Sequence, residues 1–194
     1  MHQKELIVKR LTTSAEVKTL MCNDELTLAE IIKISDAVIN AFKQGNSVYF
    51  CGNGGSAADA QHLAAEFSGR FYIDRKPLPS EALHCNTSFL TAVGNDYGYE
   101  NVYSRLIQGI GREGDILIGI STSGNSENIL KAFATAGSKK MITICFTGQR
   151  GGKMLGTTDF IIQVPSNDTP RIQEAHITVG HIICEIVEST LFSN

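Results

Sequence analysis

The 194-residue chain is predicted to fold as an α/β protein: a doubly wound parallel sheet with helices on both faces, preceded by extra N-terminal helices. Two observations predict it. From residue 46 onward short apolar runs alternate with helical patterns, as a parallel sheet with helical crossovers requires. Before residue 46 the chain reads as helical throughout. We expect one domain over 1–194, divided into N-terminal helices (1–45) and an α/β core with a C-terminal helix (46–194).

Taken in order, a first helix is followed by TLAEIIKISDAVINAFKQG, where Thr27 and Glu30 have capping-box spacing. Leu28, Ile31, Val38 and Phe42 form much of its apolar face, and Gly45 is the expected stop. Then come SVYFC and SAADAQHLAAEFSG; EALHC with TSFLTAVG and ENVYSRLIQGIG; DILIGIS and SENILKAFATAG; MITICFT and a glycine-rich turn; FIIQV and RIQEAHITVGHIICEIVESTLF. The first segment of each group reads as a strand and the others, the glycine-rich turn apart, as helices; no repeat or linker interrupts the series.

A net charge of −3 and the lack of any Lys/Arg run longer than two leave no basic surface for a phosphate backbone, so direct nucleic-acid binding is not expected. The opening residues carry scattered charges without an apolar core, and no apolar run is long enough to span a bilayer; a cytoplasmic protein that does not enter membranes is expected. The five cysteines are widely separated, odd in number and without a CxxC, which argues against a disulfide framework or a thiolate zinc site. Cys51, Cys145 and Cys184 sit in apolar segments and read as core residues.

In an open α/β sheet, ligands bind beyond the carboxyl ends of the strands. Two junctions there have unusual composition. CGNGGS follows the first strand: its glycines let backbone N–H groups approach a ligand, and Ser56 can cap the next helix. STSGNS follows DILIGI and gathers the hydroxyls of Ser121, Thr122, Ser123 and Ser126 at a helix N-terminus, where the macrodipole favours an anion. Either loop alone is compatible with an ordinary solvated turn; two on one sheet edge point to a phosphorylated ligand. Neither fits the P-loop or dinucleotide pattern, so a nucleotide is not the first expectation.

His62 and Glu66, four residues apart, share one helical face directly behind the first loop. That spacing suits half of a helical metal site and equally an ordinary hydrogen-bonded pair. The last helix carries Gln173, His176 and His181 in apolar surroundings, where a lone histidine such as His176 is usually a hydrogen-bonded core residue. His2 and His84, the latter read in a strand, have no partner spacing. Asn95 and Asp96 are read in a turn between two helices.

CGNGGS, SGRF, VGNDYG, GREGDILIGISTSGNS, TGQRGGKM and RIQEAH, in this order, resemble the phosphoheptose isomerases, a single-domain branch of the sugar isomerase (SIS) family. The resemblance covers nearly the whole chain from Cys51. It implies an aldose–ketose isomerase that converts sedoheptulose 7-phosphate to D-glycero-D-manno-heptose 7-phosphate, the first step of ADP- or GDP-heptose biosynthesis. Its substrate contacts would be Asn53, Gly54, Gly55, Glu66, Asn95, Asp96, Ser121, Thr122, Ser123, Ser126 and Gln173. One zinc ion per subunit would be held by His62, Glu66, Gln173 and His181, with Glu66 and His181 as the catalytic proton-transfer groups. Such chemistry, a proton moved between C1 and C2 through an enediol, calls for a base, an acid and an electrophile. Pro170 departs from the pattern of some isomerases, which carry an acid there; Asp168 lies two positions back.

Two alternatives share the same loops. One is a non-catalytic SIS relative that binds the replication initiator DnaA, toward which Ala57, Ala58 and the ESTLF ending lean; the other is a sugar-phosphate sensor. Neither accounts for Glu66 together with His181.

The implied ligand set conflicts with a straight final helix, in which Gln173 and His181 would lie about 12 Å apart along the axis and roughly 80° apart around it. Ligands of one ion sit only about 2 Å from it. Either that helix starts after Gln173, or the two residues come from different chains. The apolar HIICEIVESTLF favours burial between protomers, so a homotetramer with shared active sites is expected.

Overall fold

The computed structural model describes residues 2–192. Seven α-helices and five strands follow in the order α1 (Gln3–Cys22), α2 (Glu25–Lys43), β1 (Val48–Gly52), α3 (Gly55–Ser68), β2 (Ser80–Ala82), α4 (Thr87–Tyr97), α5 (Val102–Ile110), β3 (Ile116–Ser121), α6 (Glu127–Ser138), β4 (Ile142–Gly148), β5 (Phe160–Val164) and α7 (Thr169–Phe192). The strands form one sheet in the order β2-β1-β3-β4-β5, and every pairing is parallel. This is the doubly wound architecture expected from the alternation.

Side-chain alternation divides the core between the two faces. Val48 and Phe50 of β1, Ile116, Ile118 and Ile120 of β3, and Ile144 and Phe146 of β4 pack against α2, α3 and α7. Cys51, Leu117 and Cys145 point the other way, toward α5 and α6. Because both faces are covered, β3 is buried along its whole length, which is why it appears in the sequence as the unbroken apolar run ILIGI. Cys51, Cys145 and Cys184 are buried free thiols, as expected of core residues.

Two expectations are corrected. The N-cap of α2 is Asp24, whose side chain accepts from the Leu26 amide and the Thr27 hydroxyl, so the Thr27/Glu30 pair is no capping box. Glu30 instead accepts the Ile161 amide of β5, a tertiary bond that local spacing does not announce. The strand read in EALHC is only Ser80–Ala82, an edge strand, and His84 lies beyond it. Ile31, Val38 and Phe42 are buried on α2, and Gly45, at φ 79°, follows its end. Among the described residues no helix is long and apolar enough to cross a membrane.

The sheet order reverses between β1 and β3: β1 continues to β2 on one side, while β3 leads to β4 and β5 on the other. A crevice is expected at such a switch point, beyond the carboxyl ends of the two strands. CGNGGS leaves β1 there and STSGNS leaves β3.

Candidate active site

The two loops flank the switch point and are tied together. Asn53 donates from Nδ2 to Asn128 Oδ1 at 2.9 Å and accepts from Asn128 Nδ2 at 2.8 Å, while Tyr99 donates to Asn53 Oδ1 at 3.2 Å. Asn128 is buried in the first turn of α6, so this amide pair spans from the first loop to the helix behind the second. Glycine is required where the first loop turns, since a Cβ on Gly52 would lie 2.3 Å from the Ser56 carbonyl oxygen. The N-cap of α3 is Gly54, at φ 56°, and Ser56 is buried inside the helix, which corrects the expectation that Ser56 caps it. The Ser56 amide bonds to the Asn53 carbonyl and the Ala57 and Ala58 amides to that of Gly54, at 3.1, 3.1 and 3.2 Å, so the positive end of the α3 dipole faces the loop through the amides that precede them.

In the second loop Ser121 and Ser126 are joined hydroxyl to hydroxyl at 2.9 Å. Ser126 is the N-cap of α6, yet its side chain makes no capping bond. Asn125 folds back on Ser123, its amide bonding to Oγ and its Nδ2 to the carbonyl. Thr122 is half-buried and Ser123 exposed, so hydroxyls of this loop are accessible. Asn95 and Asp96 belong to the last turn of α4, not to a turn between helices; both are exposed and bond to each other at 2.8 Å. Tyr99, three residues on, brings this segment beside Asn53.

The helix α3 continues from the first loop toward a cluster of titratable side chains. His62 Nε2 lies 3.0 Å from His181 Nε2 and 3.1 Å from Glu66 Oε1. One ligand atom from each of the three residues falls within 4.8 Å of the others. The i, i+4 pair of α3 therefore meets a third group from α7, 119 residues further along the chain than His62. Two imidazole nitrogens facing each other beside a carboxylate form a donor set that fits a divalent ion such as zinc, whose ligands sit about 2.0–2.2 Å from the metal. Burial holds the His181 pKa below the usual histidine value, and neighbouring His62 adds to this while Glu66 opposes it. His181 thus leans toward the neutral form that can bind a metal or accept a proton.

Gln173 does not join the trio. The helix α7 runs unbroken from Thr169 to Phe192, so the alternative in which it begins after Gln173 is ruled out. The Gln173 side chain lies against Gly55, where a Cβ would be 2.6 Å from Nε2. Further along the same pair of helices, Gly180 lies against Leu63 and His181 against His62. The two helices are therefore parallel and in step, with Gln173 at the loop end of α3 and His181 about two turns away.

The remaining candidates separate clearly. His176 is fully buried and bonds through Nε2 to the Thr147 carbonyl at 3.1 Å, a core role as expected. Asp168 pairs with Arg10 of α1 at 3.6 Å. Two features were missed in the sequence. Asp59 shares the face of α3 with Gly55, His62 and Glu66, has a buried Oδ2 without a partner, and has its pKa raised by burial, with His62 opposing. Its position three residues before His62 was a signal open to reading. Arg75 and Glu188 form a buried ion pair beside the trio; Glu188, an acid two turns beyond His181 on nearly the same stripe of α7, was the available hint.

Comparison with known proteins agrees with this fold. The family described as "SIS domain" matches residues 15–148. A phosphoheptose isomerase of Clostridium acetobutylicum is 52% identical over 189 residues, covering 97% of this chain and 96% of that protein. Phosphoheptose isomerase 2 of Campylobacter jejuni is 55% identical over 176 residues, 91% of this chain and 88% of the relative. The solved structure of a phosphoheptose isomerase from Francisella tularensis superposes with a TM-score of 0.93 at 33% identity, covering 97% of this chain and all of that one.

Proposed function

Since the chain belongs to the SIS-domain family, and within it to the phosphoheptose isomerases, we propose that it converts sedoheptulose 7-phosphate to D-glycero-D-manno-heptose 7-phosphate. The observation that carries this reading is the meeting of His62, Glu66 and His181 on helices α3 and α7, with α3 opening at a donor-rich loop on the switch point. A DnaA-binding protein or a sensor would have no use for that trio.

The phosphate is received by the hydroxyls of Ser121, Thr122, Ser123 and Ser126 with the N-terminal dipole of α6, which supplies hydrogen-bond donors without a lysine or arginine. Asn53, Gly54 and Gly55 hold the sugar chain through backbone amides, and Asn95 and Asp96 its hydroxyls. Glu66 takes the proton from carbon and returns it to the neighbouring carbon. His181 exchanges the proton on oxygen, a task suited to an imidazole held neutral by burial. In Glu66 one carboxylate oxygen, Oε1, faces His62, which leaves Oε2 to meet the substrate.

Zinc is the ion proposed for His62, Glu66 and His181, with Gln173 as fourth ligand; bound there, it supplies an electrophile for the oxygens on C1 and C2. Because Gln173 sits at the far end of α3 from the trio in its own chain, the reading includes a second subunit that contributes one side of each site, in a homotetramer. Large apolar side chains exposed along α1, among them Ile7, Val8 and Leu11, support association.

The test incubates purified protein with sedoheptulose 7-phosphate and follows the aldose product by NMR, before and after removal of metal by a chelator. Isomerisation that disappears on chelation and returns with zinc is expected. No product from metal-replete protein overturns the substrate; full activity in metal-free protein overturns the metal.

A further inference from the structure

The segment after α3 folds back over the end of that helix, and one buried ion pair holds it there. Arg75 Nε donates to Glu188 Oε1 at 2.8 Å, and both side chains are only 2% exposed. Most of the remaining guanidinium turns to the end of α3: Nη2 donates to the Glu66 carbonyl at 2.8 Å, and Nη1 to the carbonyls of Phe67 at 2.8 Å and Gly69 at 3.2 Å, besides that of Lys76 at 3.1 Å. Arg75 thereby satisfies carbonyls that the helix end leaves without partners. Glu188 in turn accepts three successive backbone amides, those of Phe71, Tyr72 and Ile73, at 3.0, 2.6 and 2.9 Å.

Both ends of this clamp bear on the trio. Glu66 is itself one of the residues whose carbonyl Arg75 grips. Glu188 lies seven residues beyond His181, two turns along nearly the same stripe of α7. The Phe71 ring, fixed through its amide, stands 5.8 Å from the His181 ring. Stability alone does not explain such a pair. Desolvating two charges costs about as much as their attraction returns, and well-packed apolar residues commonly serve a fold as well or better. What an apolar pair could not do is fix the direction of the hydrogen bonds by which Arg75 and the segment 71–73 tie the end of α3 to Glu188 of α7.

We propose that the Arg75–Glu188 pair is a positioning device for the active site. It holds the turn of α3 that carries Glu66 in register with His181 on α7 and so sets the spacing of the metal-competent groups. The inference rests on the reading of His62, Glu66 and His181 as a metal site. Carboxylate character is essential to it: burial alone would push the Glu188 pKa up, but the three amides and Arg75 outweigh that and hold it below the usual value.

Glu188→Gln keeps the shape and replaces one acceptor oxygen by a donor; Arg75→Lys keeps the charge and loses the fork to the Glu66 and Phe67 carbonyls. Each variant is to be compared with wild type in zinc affinity by competition, in the visible spectrum of the cobalt(II)-loaded protein, and in kcat and KM. Val38→Ala, a core change on α2, controls for lost stability alone. The expected result is zinc binding and kcat each weakened about ten- to a hundredfold, the scale for groups that orient metal ligands. KM should stay within about threefold and the cobalt bands should change, while Val38→Ala leaves the spectrum and zinc affinity as in wild type. Folded Glu188→Gln and Arg75→Lys proteins with wild-type zinc affinity, spectrum and kcat would overturn the proposal, as would failure of both to fold, which assigns the pair to stability. If wild type itself binds no metal, the metal reading fails and the clamp is judged by whether kcat falls with KM unchanged.

Discussion

Replacing Gly180 by alanine tests how tightly the two halves of the site are held together. A Cβ at this position would lie 2.4 and 2.5 Å from the two methyl carbons of Leu63, far inside ordinary contact distance. Leu63 is 1% exposed within the main core, so its methyls have little room to turn away. Relief requires either an off-rotamer Leu63 or a shift of α7 by roughly 1 Å, and overpacking of this kind costs about 1–3 kcal/mol. Against it stands the gain of about 1 kcal/mol for alanine over glycine inside a helix. The balance is a loss of about 1 kcal/mol, or roughly 2–4 °C in Tm. The effect on the site should be larger, because His181 is the next residue: a 1 Å shift would carry its Nε2 from 3.0 to about 4 Å from that of His62. Two nitrogens that far apart can share a zinc ion only in strained geometry, so zinc affinity should fall at least about tenfold. Thermal unfolding of metal-free protein and zinc competition are the assays. Leu63→Ala should also cost less in the Gly180→Ala background than alone, by about 1 kcal/mol or more. A raised Tm together with unchanged zinc affinity would refute the tight α3–α7 contact.

Three further outcomes are expected. Burial, only partly offset by the bond to Thr147, holds His176 at a pKa of about 4, below the unfolded value of about 6.5, so the unfolded chain takes up this proton first as pH falls. The stability tied to His176 is therefore complete above pH ~6.5 and lost between there and pH ~4, by about 3 kcal/mol; urea unfolding across this range should show a smaller slope in His176→Gln, and an equal slope counts against the assignment. Ser126→Ala, which also breaks the bond to Ser121, should weaken substrate binding by about 1–3 kcal/mol with the fold intact, and an unchanged KM would return the loop to an ordinary turn. Mixing inactive Gln173→Ala with inactive His181→Ala protein, once subunit exchange has been verified by mass, should restore activity in hybrids; no recovery would place both groups of a site in one chain.

Much of the fold was legible because its causes are local. Parallel strands covered on both faces must be continuously apolar, and ILIGI and ITICF display this directly. The loops were legible for the same reason: glycines and hydroxyls at a strand end act through their own backbone. His62 and Glu66 declared themselves by helical spacing, but the proximity of His181 depends on how α7 packs along α3, which no local period encodes. Ser56 and Thr27 were misread as caps because Gly54 and Asp24, just upstream, occupy the turning positions. The 3-residue edge strand β2 is too short for periodicity to mark its end, so His84 was drawn into it. Arg75 and Glu188 are separated by 113 residues, and their pairing is a tertiary fact that no local pattern marks: Glu188 is one of three acids on the final helix, with Glu174 and Glu185.

The central claim is that Glu66, beside His62 and His181, moves the proton that interconverts ketose and aldose phosphate. Wild-type and Glu66→Gln proteins, brought to equal measured metal content, are incubated with sedoheptulose 7-phosphate, with product followed by NMR and substrate binding by calorimetry. The account predicts steady aldose formation by wild type, and a variant that still binds the substrate but turns it over at least about a hundredfold more slowly, the scale of a lost general base. Wild-type turnover by the Glu66→Gln protein would contradict it.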